Sequence, residues 1–118
     1  MVQVYFTDKD KGGALRCDIN GHANIKNAEG LDVLCACCTT LANTLALNVK
    51  TFESMDMLKD GAVVYLGENG DGKARISCSP KEMYYGIVRT AFTAVIIGFE
   101  MLSKYYPDEV QFVRELKK

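Results

Sequence analysis

One histidine and five cysteines hold most of the nucleophile-and-base chemistry open to this chain. His22 stands in Gly-His-Ala, and thirteen residues later Cys35 opens a Cys-Ala-Cys-Cys run that ends at Cys38. Asp32, three residues before Cys35, has the side chain of a good helix N-cap. That spacing puts the Cys35 thiol in a first helical turn, where the positive end of the helix dipole favours thiolate over thiol. Histidine is the side chain best suited to take and return a proton near neutral pH. His22 and Cys35 can therefore act as base and nucleophile. The same two residues also fit a blander description, a buried cysteine and a loop histidine with its hydrogen bonds satisfied.

Two other chemistries compete for the cysteines. Cys35 and Cys38 form Cys-x-x-Cys at a helix start, the spacing of thiol–disulfide exchange proteins. Against it, the preceding segment reads as a polar loop rather than a buried strand, and both prolines, Pro80 and Pro107, fall at helix boundaries. Zinc is served less well. Cys37 is turned by ~200° from Cys35 on the same helix, and the remaining ligands are single and distant. No metal and no cofactor is expected.

The elements that must position these residues follow from periodicity. "VQVYFTD" alternates and is rich in β-branched and aromatic residues, so it reads as a strand; "KDKGG" is a turn, and "ALRCDIN" returns as a second strand. "GHANIKNAEG" is a loop. From Asp32 the period becomes helical, with Leu34, Cys38, Leu41 and Leu45 on one face. The parallel face, Cys35, Thr39, Ala42 and Ala46, is small throughout and leaves room for something to approach closely. "AVVYLGE" and "ARISCSP" flank "NGDGK", the strongest hairpin signal in the chain. Ser79-Pro80-Lys81-Glu82 then has the form of an N-cap, a first-turn proline and a reciprocal capping glutamate. It predicts a helix of roughly 40 Å ending near Tyr106, before Pro107. The second half of that helix, "TAFTAVIIGFEML", is apolar on too many sides for one sheet face. A second copy of the chain is the simplest cover for Phe92, Val95, Ile96 and Phe99. "EVQFVREL" is a last edge strand. The order ββαββα(β) predicts an α/β (α+β) two-layer sandwich on a largely antiparallel or mixed sheet, with residues 1–118 as one domain.

Composition narrows the function. Apolar residues make up 48% and charged residues 25%, and the net charge is −1 with no basic stripe, so direct nucleic-acid binding is not expected. The longest apolar stretch, Ala91 to Leu102, contains Glu100 and falls short of the ~20 residues that span a bilayer. The N-terminus lacks a signal-peptide layout, and the odd, uneven cysteines are unlike a secreted disulfide framework. The reading is a cytoplasmic protein without a membrane partner.

"INGHA", a short loop, "G-x-D-x-x-C-A", a helix, a glycine-rich hairpin and a long helix ending "GFEMLSKYYPDEVQF" together resemble the ribosomal-processing cysteine protease family, Prp. The resemblance spans nearly the whole chain. It implies a homodimeric endopeptidase that removes the N-terminal extension of large-subunit ribosomal protein twenty-seven. It assigns the nucleophile to Cys35 and the acid/base to His22, and matches the motif aspartate to Asp32. Asp32 either orients His22 or only caps the helix. Gly21, Ala23 and Gly30 belong to the loop that must admit an extended peptide. Tyr5, Phe6 or Tyr84 could receive aromatic substrate side chains, or be ordinary core.

Three departures from the family pattern stand out. The loop between His22 and Cys35 is one residue longer than is common, at little entropic cost. Cys37 and Cys38 replace small apolar residues and read as packing. Thr39 stands where serine is usual, keeping the hydroxyl. No group that the mechanism needs is removed. The rival function classes are a non-catalytic ribosome-assembly factor that binds the same tail, and the Cys-x-x-Cys exchange protein.

Overall fold

The computed structural model describes residues 1–9, 13–21, 33–67 and 72–117. Strands β1 (Val2–Lys9) and β2 (Leu15–Gly21) form an antiparallel pair, in which Val2 faces Gly21 and Phe6 faces Cys17. Helix α1 (Val33–Ser54) follows, then the antiparallel strands β3 (Val63–Tyr65) and β4 (Lys73–Cys78). A single 3₁₀ turn, Glu82–Tyr84, leads into helix α2 (Tyr85–Tyr105), and β5 (Val110–Lys117) closes the chain. The sheet order is β3-β4-β2-β1-β5, antiparallel throughout except for the parallel pair of β1 with β5. This is the mixed sheet with two helices that alternation and helical period predict.

Alternation decides which sheet face is covered. Val2, Val4 and Phe6 on β1, Leu15, Cys17 and Ile19 on β2, and Ile76 and Cys78 on β4 are all buried. Helix α1 packs chiefly over β4, and α2 over β5 and β2. Each helix contributes one stripe: Leu34, Cys38, Ala42, Leu45, Ala46 and Val49 from α1, and Val88, Phe92, Ile96 and Phe99 from α2. Phe92 stacks on Phe6 with ring centroids 5.7 Å apart, fixing α2 to β1. The helices meet closely at Gly98, where even a Cβ would press on the Leu41 side chain at 2.8 Å. By length and composition both helices could cross a bilayer, but each has one face buried in this core.

Two expectations are corrected here. Phe92, Ile96 and Phe99 are fully buried within their own chain, and Val95 packs against the same core, so none of them needs a second copy as cover. The cause is that α2 touches both the sheet and α1, which widens its apolar stripe. Nor does Ser79-Pro80 open the second helix. Leu58 and Pro80 form an antiparallel bridge, flanked by Lys59 N–H donating to Ser79 O at 2.7 Å and Lys81 N–H donating to Met57 O at 2.9 Å. Proline disfavours helical backbone in the residue before it, so this stretch stays extended and the helical turns begin only at Glu82.

The opposite sheet face is open and polar. Across it run Tyr65, Arg75, Asp18, Tyr5 and Val113 in register. Asp18 accepts from Arg16 Nε at 2.6 Å and Arg75 Nε at 2.9 Å. Burial alone would raise the Asp18 carboxyl, but the two arginines outweigh it and hold it below the ordinary aspartate value.

Candidate active site

Cys35 is the third residue of α1, in its first turn, and is half-buried. It opens on a cavity of about 190 Å³ between this end of α1 and the ends of β2 and β4. Cys38, Thr39, Ala42 and Asn43 continue the α1 wall; Ile19 and Gly21 come from β2, and Leu66, Gly67, Gly72 and Ala74 from the β3–β4 hairpin. The small face noticed in the sequence is what makes the space: Ala42 opposite Ala74, Gly67 and Gly72 leaves a void that larger side chains would fill. Asn43 is held in place by donating from Nδ2 to the Thr39 carbonyl at 2.9 Å.

Gly21 is the residue that turns the chain from β2 toward the His22 loop, and its backbone requires glycine. Its φ is +103°, and a Cβ there would overlap the Met1 carbonyl oxygen. Its N–H donates to the Gly72 carbonyl at 2.8 Å, tying the end of β2 to the hairpin. Cys35 and Gly21 therefore line one cavity, as the Gly-His-Ala and Cys-Ala motifs require if they share a site. His22, Ala23, Gly30 and Asp32 lie outside the described residues.

The other cysteines separate cleanly. Cys38 is buried, at 6% exposure, as a packing residue should be; Cys37 is exposed, so its reading as packing is corrected. A residue two positions along a helix points to the far side, away from the sheet. Burial pushes the Cys17 thiol up to about 12, with the Asp18 carboxylate adding to the shift, and burial alone does the same to Cys78. Those two are inert core thiols. Tyr5, Phe6 and Tyr84 do not line the cavity: Tyr5 lies on the open sheet face and Phe6 is core. The hairpin residues Leu66, Gly67 and Gly72 do line it, and only the tertiary fold brings them there.

The family model for cysteine protease Prp matches residues 1–111. The chain belongs to this family. It is a cysteine protease of the Prp family, and its sheet and helices match those of solved Prp structures. SMU.848 of Streptococcus mutans superposes with a TM-score of 0.68 at 21% identity, covering 99% of each chain. The Staphylococcus aureus ribosomal processing protease Prp bears a covalently linked product peptide. It superposes with a TM-score of 0.66 at 16% identity, over 98% of this chain and 100% of that one. The same Staphylococcus aureus protease with a substrate peptide gives a TM-score of 0.61 at 13% identity. Among curated proteins, none matches the chain by sequence.

Proposed function

We propose that this Prp-family protease removes an N-terminal extension from large-subunit ribosomal protein twenty-seven, with Cys35 as nucleophile and His22 as general acid and base. The observation that carries the reading is the placement of Cys35. Its thiol sits in the first turn of α1 and opens on a cavity whose rim includes Gly21, the residue before His22. The Staphylococcus aureus relative holds a covalently linked product peptide, which supports a covalent route here.

The chemistry then runs in two halves. His22 takes the Cys35 proton as Sγ attacks the scissile carbonyl, and the carbonyl oxygen becomes an oxyanion. N–H groups of a first helical turn have no acceptor within the helix, and at the positive end of α1 they stabilise that oxyanion. Collapse breaks the C–N bond, and His22 returns the proton to the leaving amine. Water, deprotonated by His22, then hydrolyses the thioester and restores Cys35. Asp32 serves either to orient His22 or to cap α1, and Gly21, Ala23 and Gly30 admit the extended peptide.

The protein acts in the cytoplasm as a homodimer in this reading. The apolar side chains left exposed on the helices, among them Val33 and Leu47 on α1 and Ile87, Ile97 and Met101 on α2, support a second copy. The test is direct: incubate the protein with the precursor of that ribosomal protein and read the product mass. A single shortened product supports the assignment. An untouched precursor, with an unrelated unfolded protein cut instead, overturns it.

A further inference from the structure

Cys35 and Cys38 are one helical turn apart, on the same face of α1, and line the same cavity. Cys37, between them, faces outward. Of the remaining thiols, Cys17 and Cys78 are sealed in the core and do not line the cavity. We propose that Cys38 is a resolving thiol for Cys35: a hydroperoxide drives the pair into a reversible disulfide that switches the protease off and shields its nucleophile from over-oxidation. This rests on Cys35 being the nucleophile.

Helix geometry allows the bond. Residues three apart in an α-helix have Cα atoms ~5 Å apart, inside the range that disulfides span. Their Cβ atoms, at about 5–6 Å, must close by one to two ångströms. The end of a helix frays, and a first-turn residue that leaves the helix can swing its Cβ over this distance. Cys35 is the third residue of α1, so only the first turn has to loosen. The downstream anchors Ala42, Leu45 and Val49 stay buried.

The chemistry balances. The Cys35 thiolate attacks the peroxide, and an S–O bond forms as O–O breaks. The departing hydroxide or alkoxide takes up the proton that Cys35 had shed, giving Cys35 sulfenic acid and water or an alcohol. Cys38 Sγ attacks that sulfur, S–S forms as S–O breaks, and the hydroxyl departs as water with the Cys38 proton. Two thiols and one hydroperoxide thus give one disulfide, one alcohol or water, and one water. A dithiol reductant returns the two electrons by exchange. Cys38 is too buried to meet the oxidant first, while half-exposed Cys35 is not. Without a resolver, sulfenic acid goes on to sulfinic acid, which thiols do not reduce.

The experiment uses a Cys37→Ala background, which removes the exposed thiol. Between Lys26 and Lys50 that protein has only Cys35 and Cys38, so trypsin gives one peptide that reports their state. Hydrogen peroxide should abolish cleavage, with the peptide lighter by two hydrogens, and dithiothreitol should restore both. With Cys38→Ala added, peroxide should still abolish cleavage relative to that protein's own starting rate. Its peptide should then gain two oxygens, and dithiothreitol should restore nothing. Equal recovery with and without Cys38, or a peptide that never loses two hydrogens, overturns the proposal. If the untreated protein cuts no peptide, the protease reading falls, while the peptide mass still decides the disulfide.

Discussion

The Cα of Gly21 lies against the Met1 carbonyl, so closely that a Cβ at position 21 would overlap the oxygen. The contact joins the first residue of the chain to the last residue of β2, one step before His22. With φ at +103°, any L side chain here is strained even without the overlap. Gly21→Ala should cost about 1–3 kcal/mol in stability and shift the start of the His22 loop. Thermal unfolding should show a lower Tm, and cleavage at a temperature where the variant is folded should still fall. An unchanged Tm would mean that Met1 moves aside at no cost.

A second anchor lies at the other end of β1. Asp8 is buried, and accepts from the Tyr85 hydroxyl at 2.8 Å and from Arg89 Nε at 2.6 Å. Arg89→Met leaves a buried carboxylate without its cation, at about 2–3 kcal/mol once the part-exposure of Arg89 is discounted. Tyr85→Phe should cost about 1 kcal/mol. Neither residue lines the Cys35 cavity, so urea unfolding should report these losses while cleavage by the folded variants is kept.

Much of this was legible in sequence, and the exceptions share a cause. Strands β1, β2 and β4 follow from alternation, since one sheet face is covered and the other is wet. The place of Cys35 in the first turn of α1 follows from its spacing to Asp32. Ser79-Pro80-Lys81-Glu82 is a local capping pattern, but the tertiary bridge from Leu58 to Pro80 overrides it. Phe92, Ile96 and Phe99 look like excess because a sequence does not show that α1 lies alongside α2. Leu66 and Gly72 reach the cavity only through the hairpin's register on β2. Asp8 carried a signal that was passed over: it shares the inward parity of Val2, Val4 and Phe6.

Alkaline pH should destabilise the fold through its core thiols. Burial raises Cys17 and Cys78 to about 12 in the native state, whereas unfolded cysteine titrates near ~8.5. Above ~8.5 the unfolded chain sheds thiol protons that the native state keeps, so stability is full below that pH and falls toward about 12. The limiting slope is ~1.4 kcal/mol per pH unit for each thiol. Asp18 works in the opposite direction: its lowered carboxyl stabilises the fold above ~3.9 and the gain is lost as pH falls further. Urea midpoints between pH ~7 and ~10 should decline, and Cys17→Ala should flatten the decline.

The dimer proposal makes a different demand. Ile97 and Met101 are exposed on α2, away from the core. Light scattering should give twice the chain mass for the native protein. Ile97→Glu with Met101→Glu should give a folded monomer, because the charges fall on the outer helix face and leave the core intact. A native protein of single-chain mass at micromolar concentration would remove the second copy from the account.

The proposed function turns on Cys35, and its replacement is the most direct test. The native protein should cut a peptide spanning the ribosomal protein's N-terminal extension. Cys35→Ala should bind that peptide and fail to cut it, while Cys37→Ala, altered on the outer face, should cut at the native rate. Cleavage by Cys35→Ala at the native rate would contradict the account at its centre.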